Sequence, residues 1–503
     1  MLNLLLALLS AVLLILCYPR FNLVWFAPVA LTPLLFAVTR ERRLWRRFLI
    51  GWAAGAVYWC GVCYWVQIVL AVHGDMGVAV AWAMFVLFCV AKALHMGVFA
   101  LLAGILMRRW WAIPAVAAWW VTVEATHGSL GFAWLALGNA GVDMGLPMRL
   151  APYTGVYGLS FVFVMMSAAL AVAILRRPRR ELLWLAPILV LPLLPAMPDA
   201  EPGQDAALLV QPNISETQEW NTENLIQTVR EQAALTLRGA LQPGVRLPSI
   251  LVWPEVPAPF YYNEDAGFRE YVNNLARTAQ AYLLIGTVAH TPKGAPLNSA
   301  QLISPAGTPI SRYDKVNLVP FGEFVPWPFN YVADKVSSEV GDFEAGHRVV
   351  VSPVGKHEIG AFICYESVFP GFVRKFAAGG AQVLFNISND GWFGQSAARP
   401  QHLNIVRMRA AENRRWILRS TNDGITAVVD PGGRVRGSLP PNTRAAYYAK
   451  FSYIPELTFY TRFGDWFAIL CLLITTLCAV GSALPDPMKR AETNGSPTAA
   501  TLP

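Results

Sequence analysis

The feature that most constrains this chain is a succession of long apolar segments, broken by short arginine-rich loops. A helix crosses the hydrocarbon core of a bilayer with about 20 mostly apolar residues. Segments of that order run over 2–18, 22–39, 48–72, 76–106, 110–126, 151–175 and 182–197, and an eighth over 464–484. They predict a polytopic bundle of eight transmembrane helices, with a polar region inserted between the seventh and eighth. Composition agrees. Hydrophobic residues make up 55% of the chain and charged residues 14%, where a soluble protein carries roughly a quarter charged.

The net charge of +8 could suggest a nucleic-acid partner, but its placement excludes that reading. Arg40, Arg42, Arg43, Arg46 and Arg47, then Arg108 and Arg109, then Arg176, Arg177, Arg179 and Arg180 lie in three short loops. Against Glu41 and Glu181, they account for the whole excess. These loops follow the second, fourth and sixth segments, always on one side, which the positive-inside rule makes cytoplasmic. The N-terminus then lies inside and the region after the seventh segment outside, and the eighth segment returns Lys489 and Arg490 to the inside. No basic stretch precedes the first segment and no small-residue cleavage site follows it, so it reads as a retained anchor. Residues 485–503 are polar and aperiodic, the pattern of a disordered tail.

From about 206 the pattern changes to short β-rich runs ending in turn residues: ALLVQPN, SILVWPE, YLLIGTVA, EIGAFICYE, QVLFNISND and ITAVVDPGG. Helical stretches at 222–240 and 266–280 alternate with them. The near-continuous apolar runs suit strands buried on both faces, so the outer region is expected to be a layered α/β domain. Polar residues collect where the strands stop: Glu255, Cys364 with Glu366, and Asn389 with Asp390. Layered α/β domains place their chemistry beyond strand ends.

Of seven cysteines, Cys17, Cys60, Cys63, Cys89, Cys471 and Cys478 lie in or beside apolar segments, which leaves Cys364 alone in the outer region. It has no disulfide partner there. Read alone, it is as compatible with a buried structural thiol as with a nucleophile. The Cys60-x-x-Cys63 pair sits on an apolar helix and reads as packing. A nucleophilic thiol needs a base, yet none of His290, His347, His357 and His402 lies in a motif that suggests pairing. Glu255, at the end of an apolar strand, and Lys315 with Glu323, flanking a Pro- and Gly-containing turn, are better placed. Each could equally be part of a structural ion pair. No spacing of His and Cys suggests a metal, and no glycine-rich loop suggests a nucleotide.

Together, WPE, RYDKVNLVPFGE and ICYE, in this order, resemble the Glu–Lys–Cys triad segments of the nitrilase superfamily. The residues around them are closer still to the apolipoprotein N-acyltransferase family. The resemblance covers nearly the whole chain except the tail. It implies seven transmembrane helices over 1–198, a periplasmic nitrilase-like α-β-β-α sandwich over 199–457, an eighth helix over 458–484 and a cytoplasmic tail over 485–503. Both termini would be cytoplasmic, in a bacterial inner membrane.

By the same resemblance, Cys364 is the nucleophile, Glu255 its general base and Lys315 the stabiliser of the oxyanion, helped by the backbone N–H of Tyr365. Glu323 would orient Lys315, with Tyr365, Glu366 and Trp220 in supporting or substrate-binding roles. No cofactor or metal is implied. The donor would be a phospholipid, usually phosphatidylethanolamine, and the acceptor the α-amino group of a diacylglyceryl-cysteine apolipoprotein. The transfer would pass through a cysteine thioester on a monomeric enzyme. Val316-Asn317 and Val256 depart from the family's common residues and leave substrate preference open. Aromatic candidates for gripping acyl chains are the run Gly131, Phe132, Ala133 and Trp134, and the pair Trp392 and Phe393. Glu124, beside His127, is a further acid near a helix end. The competing readings are a membrane-anchored amidase using the same triad with water, and a transporter or receptor whose outer domain only binds.

Overall fold

The computed structural model describes residues 1–72, 77–129, 132–242, 246–255, 258–324 and 343–483. Gly131, Val256 and the tail from 485, on which expectations fell, lie outside the described residues.

The first part of the chain folds as apolar helices: α1 (Leu2–Leu16), α2 (Thr32–Arg40), α3 (Leu44–Val62), α4 (Val66–Val72), α5 (Val78–Leu106) and α6 (Ala112–Ala125). The helix Val156–Ile174 follows, and Trp466–Ala483 joins the bundle from the far end of the chain. Small residues set the closest crossing. A Cβ added at Gly51 of α3 would fall 2.2 Å from the Cβ of Ala100 on α5, so the two backbones meet as membrane helices commonly do.

By length and apolarity, α5 and Val156–Ile174 can each cross a membrane. The pair α3 and α4, bent by 58° at their junction, makes a third if it is one span. The eight expected spans are therefore met in part. Helices α1, α6 and Trp466–Ser482 are apolar but shorter. Prolines account for two further departures. Pro33 opens α2, which is left with 9 residues, and Pro187 and Pro192 turn the expected seventh span into the 3-10 stretch Arg179–Leu193.

The outer region contains twelve described strands: β1 (Asp205–Gln211), β2 (Ile250–Val252), β3 (Tyr282–His290), β4 (Pro296–Ile303), β5 (Pro309–Asp314), β6 (Val351–Val354), β7 (His357–Ile363), β8 (Val383–Ser388), β9 (Ile417–Thr421), β10 (Ala427–Val429), β11 (Val435–Ser438) and β12 (Ala445–Phe451). They form two six-stranded sheets, ordered β12-β1-β2-β3-β4-β5 and β11-β10-β9-β8-β7-β6. Within each sheet three strands run parallel, β1–β3 in one and β7–β9 in the other, with antiparallel strands outside them.

The sheets face each other. Ser420 of β9 donates its hydroxyl to the carbonyl of Val210 on β1, 2.9 Å away. Helices cover the outer faces: Thr222–Ala240 brings Gly239 against Leu208 of the first sheet, and Pro370–Ala378 brings Phe376 against Gly360 of the second. The result is an α-β-β-α sandwich. Contacts tie it to the helical part, where the Tyr365 hydroxyl donates to the carbonyl of Ala133 at 3.0 Å and Gln401 Nε2 donates to that of Val62 at 3.2 Å.

Candidate active site

Glu255 lies three residues beyond β2, Lys315 immediately follows β5, Cys364 immediately follows β7, and Asn389 immediately follows β8. Both sheets thus deliver their chemistry-bearing residues to one end of the sandwich. Cys364 takes φ +47°, a left-handed conformation unusual for a side-chain-bearing residue, and opens the 3-10 turn Cys364–Val368. That reversal ends β7 and presents the thiol at the strand end.

Lys315 is 1% exposed, and its ammonium donates to Glu255 Oε1 at 3.0 Å and to Glu323 Oε1 at 2.9 Å. Asn298 of β4 bridges the same two carboxylates, donating from Nδ2 at 2.8 Å and 2.7 Å. The second oxygen of Glu255 accepts from the backbone N–H of Asn389 at 2.8 Å, and that of Glu323 from the N–H of Val319 at 2.8 Å. One buried cation therefore serves two carboxylates, and each carboxylate is held at both oxygens.

Burial works against the Lys315 ammonium, but the charges of Glu255 and Glu323 outweigh it and raise the lysine's pKa well above its ordinary value. It stays charged. The Cys364 thiol is pushed the other way from reactivity. Burial first, then the Glu255 charge, raise its pKa well above 9.0, with Lys315 opposing. A thiol in that state needs a base to become a nucleophile.

Glu366 is fully buried and clamps the cysteine turn to the segment after β5. Its Oε2 accepts from the N–H of Ile363 at 2.8 Å, and its Oε1 from Val316 N–H at 2.8 Å, Asn317 N–H at 3.1 Å and the Tyr313 hydroxyl at 2.5 Å. Burial pushes its pKa up to about 7, against those donors. Tyr365 stacks on Phe132 with ring centres 5.5 Å apart. Trp220 packs in the cluster under the outer helices of the first sheet and does not line the cavity at the triad.

That cavity is about 1050 Å³. Glu255, Lys315, Glu323 and Cys364 line one part, with Val288, Val319, Pro320 and Phe343 among their neighbours, and residues of α4, α5 and α6 line another. Phe132, Trp134, Trp392 and Phe393 also line it. Glu124 does not; its Oε1 accepts from the Trp120 indole and from the N–H of Leu137, a structural role. Among the described residues no group of His, Cys, Asp and Glu could hold a metal.

Some residues at the site were not legible as such. Asn298 sits inside a strand hairpin with no local signal. His402 is fully buried, and its Nε2 lies 3.1 Å from the carbonyl oxygen of Cys364 and 2.8 Å from Ser367 Oγ. It touches the backbone of Cys364, which no sequence spacing encodes.

Comparison with known proteins matches residues 207–452 to the carbon-nitrogen hydrolase family and residues 10–169 to the apolipoprotein N-acyltransferase N-terminal domain. An apolipoprotein N-acyltransferase of Geobacter metallireducens is 32% identical, over 93% of this chain and 93% of that protein. One of Methylococcus capsulatus is 33% identical, over 94% of this chain and 95% of its own length. The match spans both the helical part and the sandwich, so this chain belongs to the apolipoprotein N-acyltransferase family.

Proposed function

We propose that the chain transfers a fatty acyl group from a phospholipid, phosphatidylethanolamine being the expected donor, to the N-terminal α-amino group of a diacylglyceryl-cysteine apolipoprotein. The observation that carries this reading is that Glu255, Lys315 and Cys364 open on an apolar cavity that the apolar helices α4, α5 and α6 help to line. Substrates that stay in a membrane need such an entrance; a small soluble amide does not.

In the first half-reaction Glu255 takes the Cys364 proton as the sulfur attacks the ester carbonyl. The Lys315 ammonium faces the developing oxyanion, with the Tyr365 N–H as a second donor; one such donor is commonly worth about 3–4 kcal/mol. The carbon–oxygen bond breaks, and the leaving lysophospholipid oxygen takes the proton back from Glu255. In the second half-reaction the acceptor amine attacks the thioester. Glu255 receives the amine proton, the carbon–sulfur bond breaks, and the proton returns to sulfur. Glu323 holds Lys315 against Glu255, Glu366 and Tyr365 hold the cysteine turn, and Trp220 supports substrate at a distance.

The reading includes a division into seven spans over 1–198, a periplasmic catalytic domain over 199–457, an eighth span over 458–484 and a cytoplasmic tail. The enzyme would be a monomer of the bacterial inner membrane with both termini inside. Intact mass of the purified protein after incubation with phosphatidylethanolamine tests the chemistry. A gain of one acyl chain, absent in Cys364→Ala and discharged onto a diacylated lipopeptide, is expected. Discharge only to water would make the chain a hydrolase. No adduct at all, with Cys364→Ala still active in cells, would remove the triad.

A further inference from the structure

The cavity that holds Cys364 also contains a cation that the triad does not use. Lys92 lies in the middle of α5, is 5% exposed and lines this cavity. Its Nζ has no hydrogen-bond partner among the described residues and stands 5.0 Å from the centre of the Trp59 ring. His95, one turn along the same face, also lines the cavity and packs its ring edge-on against His127. The charged side chains in the cavity wall are Glu255, Lys315, Glu323 and Lys92. The first three satisfy one another. Lys92 is left over, and no ion pair involving it occurs among the described residues.

A buried ammonium in a wall of apolar side chains is unfavourable unless a counter-charge meets it, and unpaired cations at membrane depth mark binding sites or pathways. A face of Trp59 offsets part of the cost but satisfies none of the three N–H donors. Among the described residues nothing supplies the missing partner, and an anionic ligand in the cavity can. A run of ring contacts leads from the Lys92 ammonium toward the thiol: Trp59 on Phe88, Phe88 on Phe132, and Phe132 on Tyr365, the neighbour of Cys364.

We infer that Lys92, with His95 beside it, forms the anion-binding point of this cavity and receives the phosphodiester of the acyl-donor lipid. This rests on the phospholipid-donor reading above and deepens it. The two substrates differ in the required way. Both bring acyl chains and ester groups to the same space, but of the two lipid moieties only the donor's contains a phosphodiester. Lys92 then favours the donor when the thiol is free. The lysophospholipid keeps the phosphodiester, so Lys92 is vacated only when that product leaves.

The test compares two donors with the same acyl chains, phosphatidylethanolamine and the uncharged 1,2-diacylglycerol, in mixed micelles with the full-length protein. The rate of thioester formation on Cys364 is read by intact mass. In Lys92→Met the ratio of the phospholipid rate to the diacylglycerol rate is expected to fall about tenfold, the effect of one charge-assisted hydrogen bond. Lys92→Arg is expected to retain the ratio, and its acylation shows that the fold tolerates change at this position. Acylation of Cys364 with a ratio unchanged in Lys92→Met, or an equal loss with both donors, would overturn the Lys92 assignment alone. If neither donor acylates the unmodified protein, the thioester reading fails first and this inference with it.

Discussion

His402 reaches Cys364 through its backbone: its Nε2 lies 3.1 Å from the carbonyl oxygen of Cys364, while Nδ1 lies 3.1 Å from both Arg419 Nη2 and Asp390 Oδ1. Burial and the Arg419 charge lower the histidine's pKa, so the ring is neutral. Arg419 and Asp390 thus meet one ring nitrogen, and the other meets the Cys364 carbonyl and the Ser367 hydroxyl, which ties the cysteine turn to a buried charged pair. The ring packs on the turn of a left-handed cysteine, a conformation that costs about 1–2 kcal/mol for a residue with a side chain. His402→Ala should therefore slow thioester formation roughly tenfold, with an unchanged concentration dependence on lipid, and His402→Gln should recover part of the loss. A mass-spectrometric time course measures both, and an unchanged rate in His402→Ala would show that the turn holds itself.

Asp390 anchors the same network, pairing with Arg419 at 2.7 Å while both side chains are fully buried. Burial pushes the Asp390 pKa up, but the Arg419 guanidinium, with His402, outweighs it and holds the group below its ordinary 3.8. A carboxyl depressed on folding contributes stability that is present above the unfolded value and is lost as pH falls through the folded one. Asp390→Asn should thus cost about 3–5 kcal/mol, the usual effect of stranding one partner of a buried pair. The cost should be constant from about pH 5 to 8 and shrink only below about pH 4. Unfolding in detergent across that range checks it; a cost that varied between pH 6 and 8 would contradict the assignment.

Because the Cys364 thiol is pushed above 9.0 by burial and then by Glu255, its deprotonation near neutral pH depends on a nearby base. Glu255→Gln keeps the shape and removes the base, so acylation at about pH 7 should fall by roughly 10²–10⁴. Part of the rate should return as pH rises toward about 10, where hydroxide can supply the thiolate, while the unmodified protein changes less over that range. Thioester formation against pH in the two proteins makes the comparison. A parallel pH profile in both would point to another base.

The sequence by itself determined which residue types were available and in what order. Apolar runs and arginine loops marked a membrane-embedded part, the β-rich runs marked a layered domain, and WPE, RYDK and ICYE named Glu255, Lys315 and Cys364. Periodicity and strand ends are local properties, so they could be read from the chain. Helix lengths were less legible, because Pro33, Pro187 and Pro192 shorten or tighten segments whose hydropathy alone reads as continuous.

What only the tertiary structure decided depends on residues far apart in sequence. Asn298 bridges Glu255 and Glu323 because β4 crosses beside both, and His402 reaches Cys364 because the helix Ala398–Asn413 packs on the cysteine turn. Lys92 reads in sequence as one polar residue in an apolar helix. Its place in the cavity wall, and the absence of a partner for its ammonium among the described residues, follow from how α5 packs against α3, α4 and α6. Long-range packing creates these contacts, and no local pattern of residue types encodes it.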